Sequence, residues 1–179
     1  MLAISGLLSV MFELLPYERF RDTPSVRFFD ITVGPSNARD LVIHSGPAVS
    51  PPDDEDTGAW QFYLHPHQQD NLLAVSGGRT FQLVNFSWDE PFHVVRLESG
   101  GFILRIPPGT FHRSISDPEG SVVLNQAVRE PDVCLNREFR IYNSAHLPAL
   151  QAVIAETAKN SHWDGVEPID TLPLPSQAA

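Results

Sequence analysis

The chain has 179 residues, 42% of them hydrophobic and 19% charged, a size and balance that fit one domain with a substantial core. Its 12 basic and 22 acidic residues leave a net charge of -10, which argues against a nucleic-acid backbone as partner. Every basic residue is arginine except Lys159, and the single cysteine, Cys134, excludes an intramolecular disulfide framework and a multi-cysteine zinc site. A reducing cytoplasm is therefore the expected setting.

Residues 1–15 are apolar but lack a basic leading segment, Glu13 interrupts the run, and the stretch is too short to span a bilayer. It is expected to be a short amphipathic packing or oligomer-contact segment, with no membrane partner. Ser25 to Val33 is rich in β-branched and aromatic residues and reads as a strand; Gly34 to Asn37 is a turn and Asp40 to His44 a second strand. Pro47, Pro51 and Pro52 keep the following stretch out of any central strand, and the acidic run Asp53 to Asp56 reads as a solvated loop.

From Trp60 onward short strands are predicted at 60–66, 71–76, 80–86, 92–98, 101–106, 111–116 and 120–128, with a further one at 137–142. Gly77-Gly78, Asp89-Glu90-Pro91, Gly100-Gly101, Pro108-Gly109 and Asp117 to Gly120 punctuate them. Many short strands with Gly and Pro turns and no helical interruption argue for a β-sandwich or barrel and against βαβ folds. Leu147 to Lys159 is the one convincing helix, and the tail after Ser161 is expected to be an extended strap or disordered. The expected organisation is an N-terminal extension over 1–24, a barrel over 25–143, and a C-terminal helix and tail over 144–179.

Two histidine-bearing segments stand out. His65 and His67 are two apart, so in a strand both imidazoles point to one face, which Tyr63 shares. Pro107-Pro108-Gly109 forces a turn that delivers His112, Ser114 and Ser116 back across the barrel on a common face. Converging imidazoles suit an iron, manganese, nickel, copper or zinc ion. Tyr63 is a candidate acid or substrate donor, or a core filler.

The spacing within these segments resembles the paired motifs of the cupin superfamily. His65-Pro66-His67, three residues, Asn71, six residues, Gly78 is similar to the first motif; Gly101, five residues, Pro107, one residue, Gly109, two residues, His112 is similar to the second. The resemblance implies an all-β, double-stranded β-helix (jelly-roll) barrel of the RmlC-like kind, with a strand extension at the N-terminus and one helix at the C-terminus. It further implies a divalent transition metal held by His65, His67 and His112, with Asn71 at the position of the usual ligand glutamate. An amide oxygen is a weaker donor than a carboxylate, so Asn71 is either a ligand or a neighbour of a three-histidine site, and a local turn would present Asp70 or Gln69 instead. The usual asparagine four residues after the second-motif histidine is Ser116.

Three functions follow from the resemblance. One is a metal-dependent enzyme acting on a small molecule, of dioxygenase or isomerase type. Another is a metal-free sugar-nucleotide epimerase, which the run L-R-I-P-P-G-T-F-H and the strand S-V-V-L-N-Q-A-V also resemble. That chemistry uses a histidine base, a tyrosine acid and a lysine; no lysine lies near Gln69 to Leu72, so an arginine would have to substitute. The third is a non-catalytic small-molecule binding module. A homodimer is expected, formed through the N-terminal segment and the strand at 25–33.

Overall fold

The computed structural model describes residues 11–133 and 138–160. The N-terminal decapeptide, Cys134 and the tail after Asn160 lie outside the described residues. Among the described residues are eleven strands: β1 (Glu13–Pro16), β2 (Glu18–Asp22), β3 (Arg27–Asp30), β4 (Ala38–His44), β5 (Val49–Ser50), β6 (Gln61–Leu64), β7 (Gln68–Val84), β8 (Phe92–Glu98), β9 (Phe102–Ile106), β10 (Phe111–Arg129) and β11 (Arg140–Asn143). A helix, α1 (Pro148–Asn160), follows a 3₁₀ turn at Ser144–His146.

Two long strands, β7 and β10, run antiparallel beside each other through both layers of the barrel. The first half of β7 pairs with β9, and β1 extends that layer beyond β9. The second half of β7 pairs with β8. On β10, Ser121 to Ala127 pairs with β4, whereas Phe111 to Ile115 meets β5 and β6, and β11 adds to β6. Gly77-Gly78 and Asp117 to Gly120, predicted as turns, are bends inside continuous strands, because each long strand changes neighbours there without leaving the ladder. The register slips between Ser116 and Ser121.

Glycine is required at that bend. Gly77 and Gly120 have φ of +63° and +90°, and a Cβ on either would sit 2.3 Å from a carbonyl oxygen, that of Gly120 and of His44 respectively. Arg96 on β8 clamps the same corner through two hydrogen bonds to Asp117, at 2.6 and 2.7 Å.

Three apolar clusters hold the layers. The barrel interior is filled by residues such as Leu72, Phe81, Leu83, Leu97, Leu104 and Val123. Outside the first layer, Val33 covers Leu73 and Ile103, helped by Leu15 and Ile31. Outside the second, Leu150, Val153 and Ile154 of α1 pack against Phe62 and Val84, which is why the helix carries an apolar stripe. The helix therefore lies behind the barrel wall and contributes nothing to its interior cavity.

Candidate functional site

A cavity of about 410 Å³ opens inside the barrel, walled by Tyr63, His65, Asp70, His112, Asn125 and Arg79 among others. His65, Asp70 and His112 form a cluster whose ligand-type atoms lie within 4.8 Å of one another. All three are buried.

The chain reaches this arrangement through a break in strand parity. Strand β6 ends at Leu64, Pro66 and His67 form a bend, and β7 begins at Gln68. Because the bend resets the alternation, His65 and Asp70 both face inward although they are five positions apart, an odd offset. Gln68, Asp70 and Leu72 then line the cavity, and Asn71 faces the other side.

The expectation that His65 and His67 share a face assumed one strand through both, and the bend removes that assumption. His67 is turned outward: its side chain is 54% exposed, with Nδ1 3.2 Å from a Glu130 carboxylate oxygen. Asn71 is buried, but its Nδ2 donates to the Gln126 carbonyl at 2.8 Å and its Oδ1 accepts from Arg105 Nε at 3.1 Å. Arg105 in turn binds Glu13 of β1, so Asn71 ties the barrel to the N-terminal strand. Tyr63 stands at the cavity wall, its ring 6.0 Å from that of His112 and its hydroxyl 3.4 Å from Ser50 Oγ.

The backbone sets the tautomers. His65 Nδ1 donates to the Glu138 carbonyl at 2.8 Å, and His112 Nδ1 donates to the Thr110 carbonyl at 3.2 Å. With a carbonyl at each Nδ1, the proton of each neutral ring resides there, and both Nε2 lone pairs look into the cavity. Each Nε2 lies 3.7 Å from the same Asp70 oxygen, Oδ2. His112 is held below its ordinary value, down to about 4, chiefly by burial and further by His65, with Asp70 opposing. At neutral pH it is uncharged.

Asp70 is oriented by amides that are themselves fixed. Gln68 Nε2 and Asn125 Nδ2 donate to Asp70 Oδ1 at 2.6 and 2.7 Å. Arg129 Nε occupies the Gln68 oxygen and the Asn71 backbone N–H occupies the Asn125 oxygen, so neither amide can flip. Asp70 Oδ1 is thus saturated and Oδ2 is left facing two lone pairs. Three acceptors pointed at one another without a donor repel unless a cation, a proton or a metal ion, lies between them. Two neutral imidazoles and a carboxylate are also a donor set that suits a divalent transition metal.

Asp70 is one of the two residues that a local turn was expected to present in place of Asn71, whereas Gln68, Asn125 and Arg79 are cavity groups that the motif spacing does not single out. Arg79 is buried and hydrogen-bonds Ser121 Oγ at 2.7 Å and the Val42 carbonyl at 2.9 Å. Burial lowers it to about 10. The position next to Asn71 was legible as a carboxylate, but its inward direction depends on the Pro66 bend.

The sequence matches no protein-family model and no curated protein. Several solved structures are similar. A variant of the 3,4-ketoisomerase from Thermoanaerobacterium thermosaccharolyticum, in complex with TDP-4-keto-6-deoxyglucose, aligns with a TM-score of 0.53 at 14% identity, over 83% of this chain and 94% of that one. The rmlC epimerase of Mycobacterium tuberculosis aligns with a TM-score of 0.55 at 14% identity, over 84% and 74%. A 3,4-ketoisomerase from Helicobacter canadensis gives 0.53 at 11%, over 80% and 97%. The all-β barrel therefore has a jelly-roll fold similar to that of these RmlC-like enzymes, the fold that the paired motifs implied. Among the described residues, no helix is long and apolar enough to cross a membrane.

Proposed function

We propose that the cavity is the active site of an isomerase-type enzyme that moves a proton at a carbon beside the carbonyl of a sugar-like small molecule. The observation that carries this reading is the convergence of His65 Nε2, His112 Nε2 and Asp70 Oδ2 on the cavity wall with His112 uncharged. A neutral imidazole with its lone pair toward the ligand takes the proton, and the adjacent carboxylate stabilises the resulting imidazolium. Tyr63, whose phenol lines the same wall, is placed to return a proton or bind the carbonyl oxygen. One of the similar structures, the 3,4-ketoisomerase variant, is in complex with TDP-4-keto-6-deoxyglucose, which supports the substrate class.

The test is solvent exchange in deuterium oxide with TDP-4-keto-6-deoxyglucose as probe. Deuterium should enter the position next to the keto group, and His112→Gln should slow this by about 100-fold or more. Absence of exchange above the enzyme-free rate sinks the proposal.

A second reading is favoured by the three facing acceptors. In it His65, His112 and Asp70 hold one divalent transition metal, with His67 and Asn71 taking no part. Such an ion polarises a carbonyl oxygen when bound. Elemental analysis of untagged protein should then find about one ion per chain, lost in Asp70→Asn. Metal-free protein that retains exchange decides for the first reading.

The protein in this proposal is a cytoplasmic homodimer. The hairpin β2–β3, with Phe20 and Val26 exposed, supports a contact between copies. A monomeric mass by light scattering removes that part.

A further inference from the structure

Arg79 differs from the other buried and half-buried arginines of the barrel. Arg96, Arg105, Arg113 and Arg129 each meet a carboxylate, at 2.6, 2.5, 2.7 and 3.1 Å. Arg79 is only 3% exposed, yet among the described residues no carboxylate lies within ion-pair distance of it. Its acceptors are a hydroxyl and two backbone carbonyls, those of Val42 and Ser121, contacted through Nε and Nη2. No hydrogen bond of Nη1 to a described residue is present, although the side chain lines the cavity. Neutral oxygens position a guanidinium but do not balance its charge, and a buried cation without a counter-ion is costly. Its field also reaches His44, which is held below its ordinary value by burial and then by Arg79.

The location matters as much as the charge. Arg79 pairs in register with Ser116, and His112 with Leu83, on the same two strands. Ser116 and His112 are four positions apart on β10, a run of about 13 Å along the barrel. The cavity therefore has a histidine and aspartate group at one level and an uncompensated cation at another.

We infer that Arg79 is an oxyanion-binding subsite, and that the ligand of this cavity carries a carboxylate or phosphate group at the end remote from its reacting carbon. The subsite rests on the cavity being the ligand site, as proposed above, and not on the reaction assigned to it. The anion supplies the missing counter-charge and takes the free Nη1 N–H groups, and the arginine fork favours a planar or tetrahedral oxyanion over a neutral hydroxyl. A ligand neutral at that end would leave the charge uncompensated.

The probes are inorganic phosphate and malonate, titrated into wild-type protein at constant ionic strength by calorimetry and thermal melting. At least one should bind saturably and raise the melting temperature by about 3 °C at a large excess over its Kd. Phosphate outranking malonate assigns a phosphate ester, and the reverse order a carboxylate. Arg79→Met should abolish the binding. Arg79→Lys, which keeps the charge and decides the matter if the methionine variant does not fold, should weaken it about tenfold. His112→Gln should bind the anion as wild type does. No saturable binding of either anion to wild type, or equal binding in wild type and Arg79→Lys, overturns the subsite. Anion binding that persists in a protein without exchange activity removes only the reaction proposed above.

Discussion

Asp70→Asn is the perturbation that separates the roles of the two carboxylate oxygens. In the wild type, Oδ1 accepts from Gln68 and Asn125 at 2.6 and 2.7 Å, while Oδ2 faces two imidazole lone pairs at 3.7 Å. Since neither neighbouring amide can flip, the asparagine oxygen must replace Oδ1 and its NH2 must replace Oδ2. The NH2 then donates to an Nε2 after closing the gap by roughly 0.7 Å, to an ordinary N–H···N separation. The variant provides the donor that three facing acceptors lack and removes a buried charge. In chelator-treated protein at neutral pH we expect it to be as stable as wild type, or up to about 1 kcal/mol more stable, while exchange activity and metal capacity are lost. Asp70→Ala leaves two buried amides unpaired, at about 1–3 kcal/mol each. It should lose about 2–6 kcal/mol. Urea titrations with unchanged m-values read both differences. An asparagine variant destabilised as much as the alanine variant would refute the assignment of Oδ2 as an unpartnered acceptor.

His112 gives a pH prediction for the metal-free protein. Its folded value of about 4 lies below the ordinary 6.5, so the unfolded chain binds the extra proton between them. The contribution is complete above pH 6.5 and falls as the pH drops toward 4, by up to about 1.4 kcal/mol per pH unit, and His112→Gln should flatten that part of a urea-midpoint profile. Gly120→Ala forces a Cβ 2.3 Å from the His44 carbonyl at a left-handed φ. It should cost about 3 kcal/mol, read as a lower melting temperature, and a neutral result would mean the bend is not fixed by that contact. Asp117 is held below 3.8, first by its hydrogen bond with Arg96, so this clamp stabilises the fold at neutral pH and fades as the pH falls through the depressed value. Asp117→Asn should cost about 1–2 kcal/mol in urea at pH 7 and nothing measurable once the wild-type carboxyl is protonated.

The strand content was readable because β-branched and aromatic runs alternate with Gly and Pro, and the helix because its apolar residues recur at helical spacing. Side-chain direction was less accessible, since it depends on where the two-residue alternation restarts. Pro66 occupies that restart point. A strand running through Leu64 to Gln68 would have put His67 inside and Asp70 outside; a bend at Pro66-His67 does the reverse with the same residues. Tyr63, His65 and His112 reach the cavity because each lies on the near side of a break or after a turn that the prolines and glycines mark. Asp70, Gln68, Asn125 and Arg79 lie inside long strands, where a polar residue reads the same from either face. Which face lines the cavity is set by β7 crossing both layers, bending at Gly77 against Gly120. The same crossing brings Asp70 and Arg79, nine positions apart on one strand, into the wall of one cavity. Replacing the Pro66 bend with a regular strand, while keeping every histidine, would therefore dismantle the cluster: the identity of the ligating or proton-carrying residues here is set by backbone phase as much as by residue type.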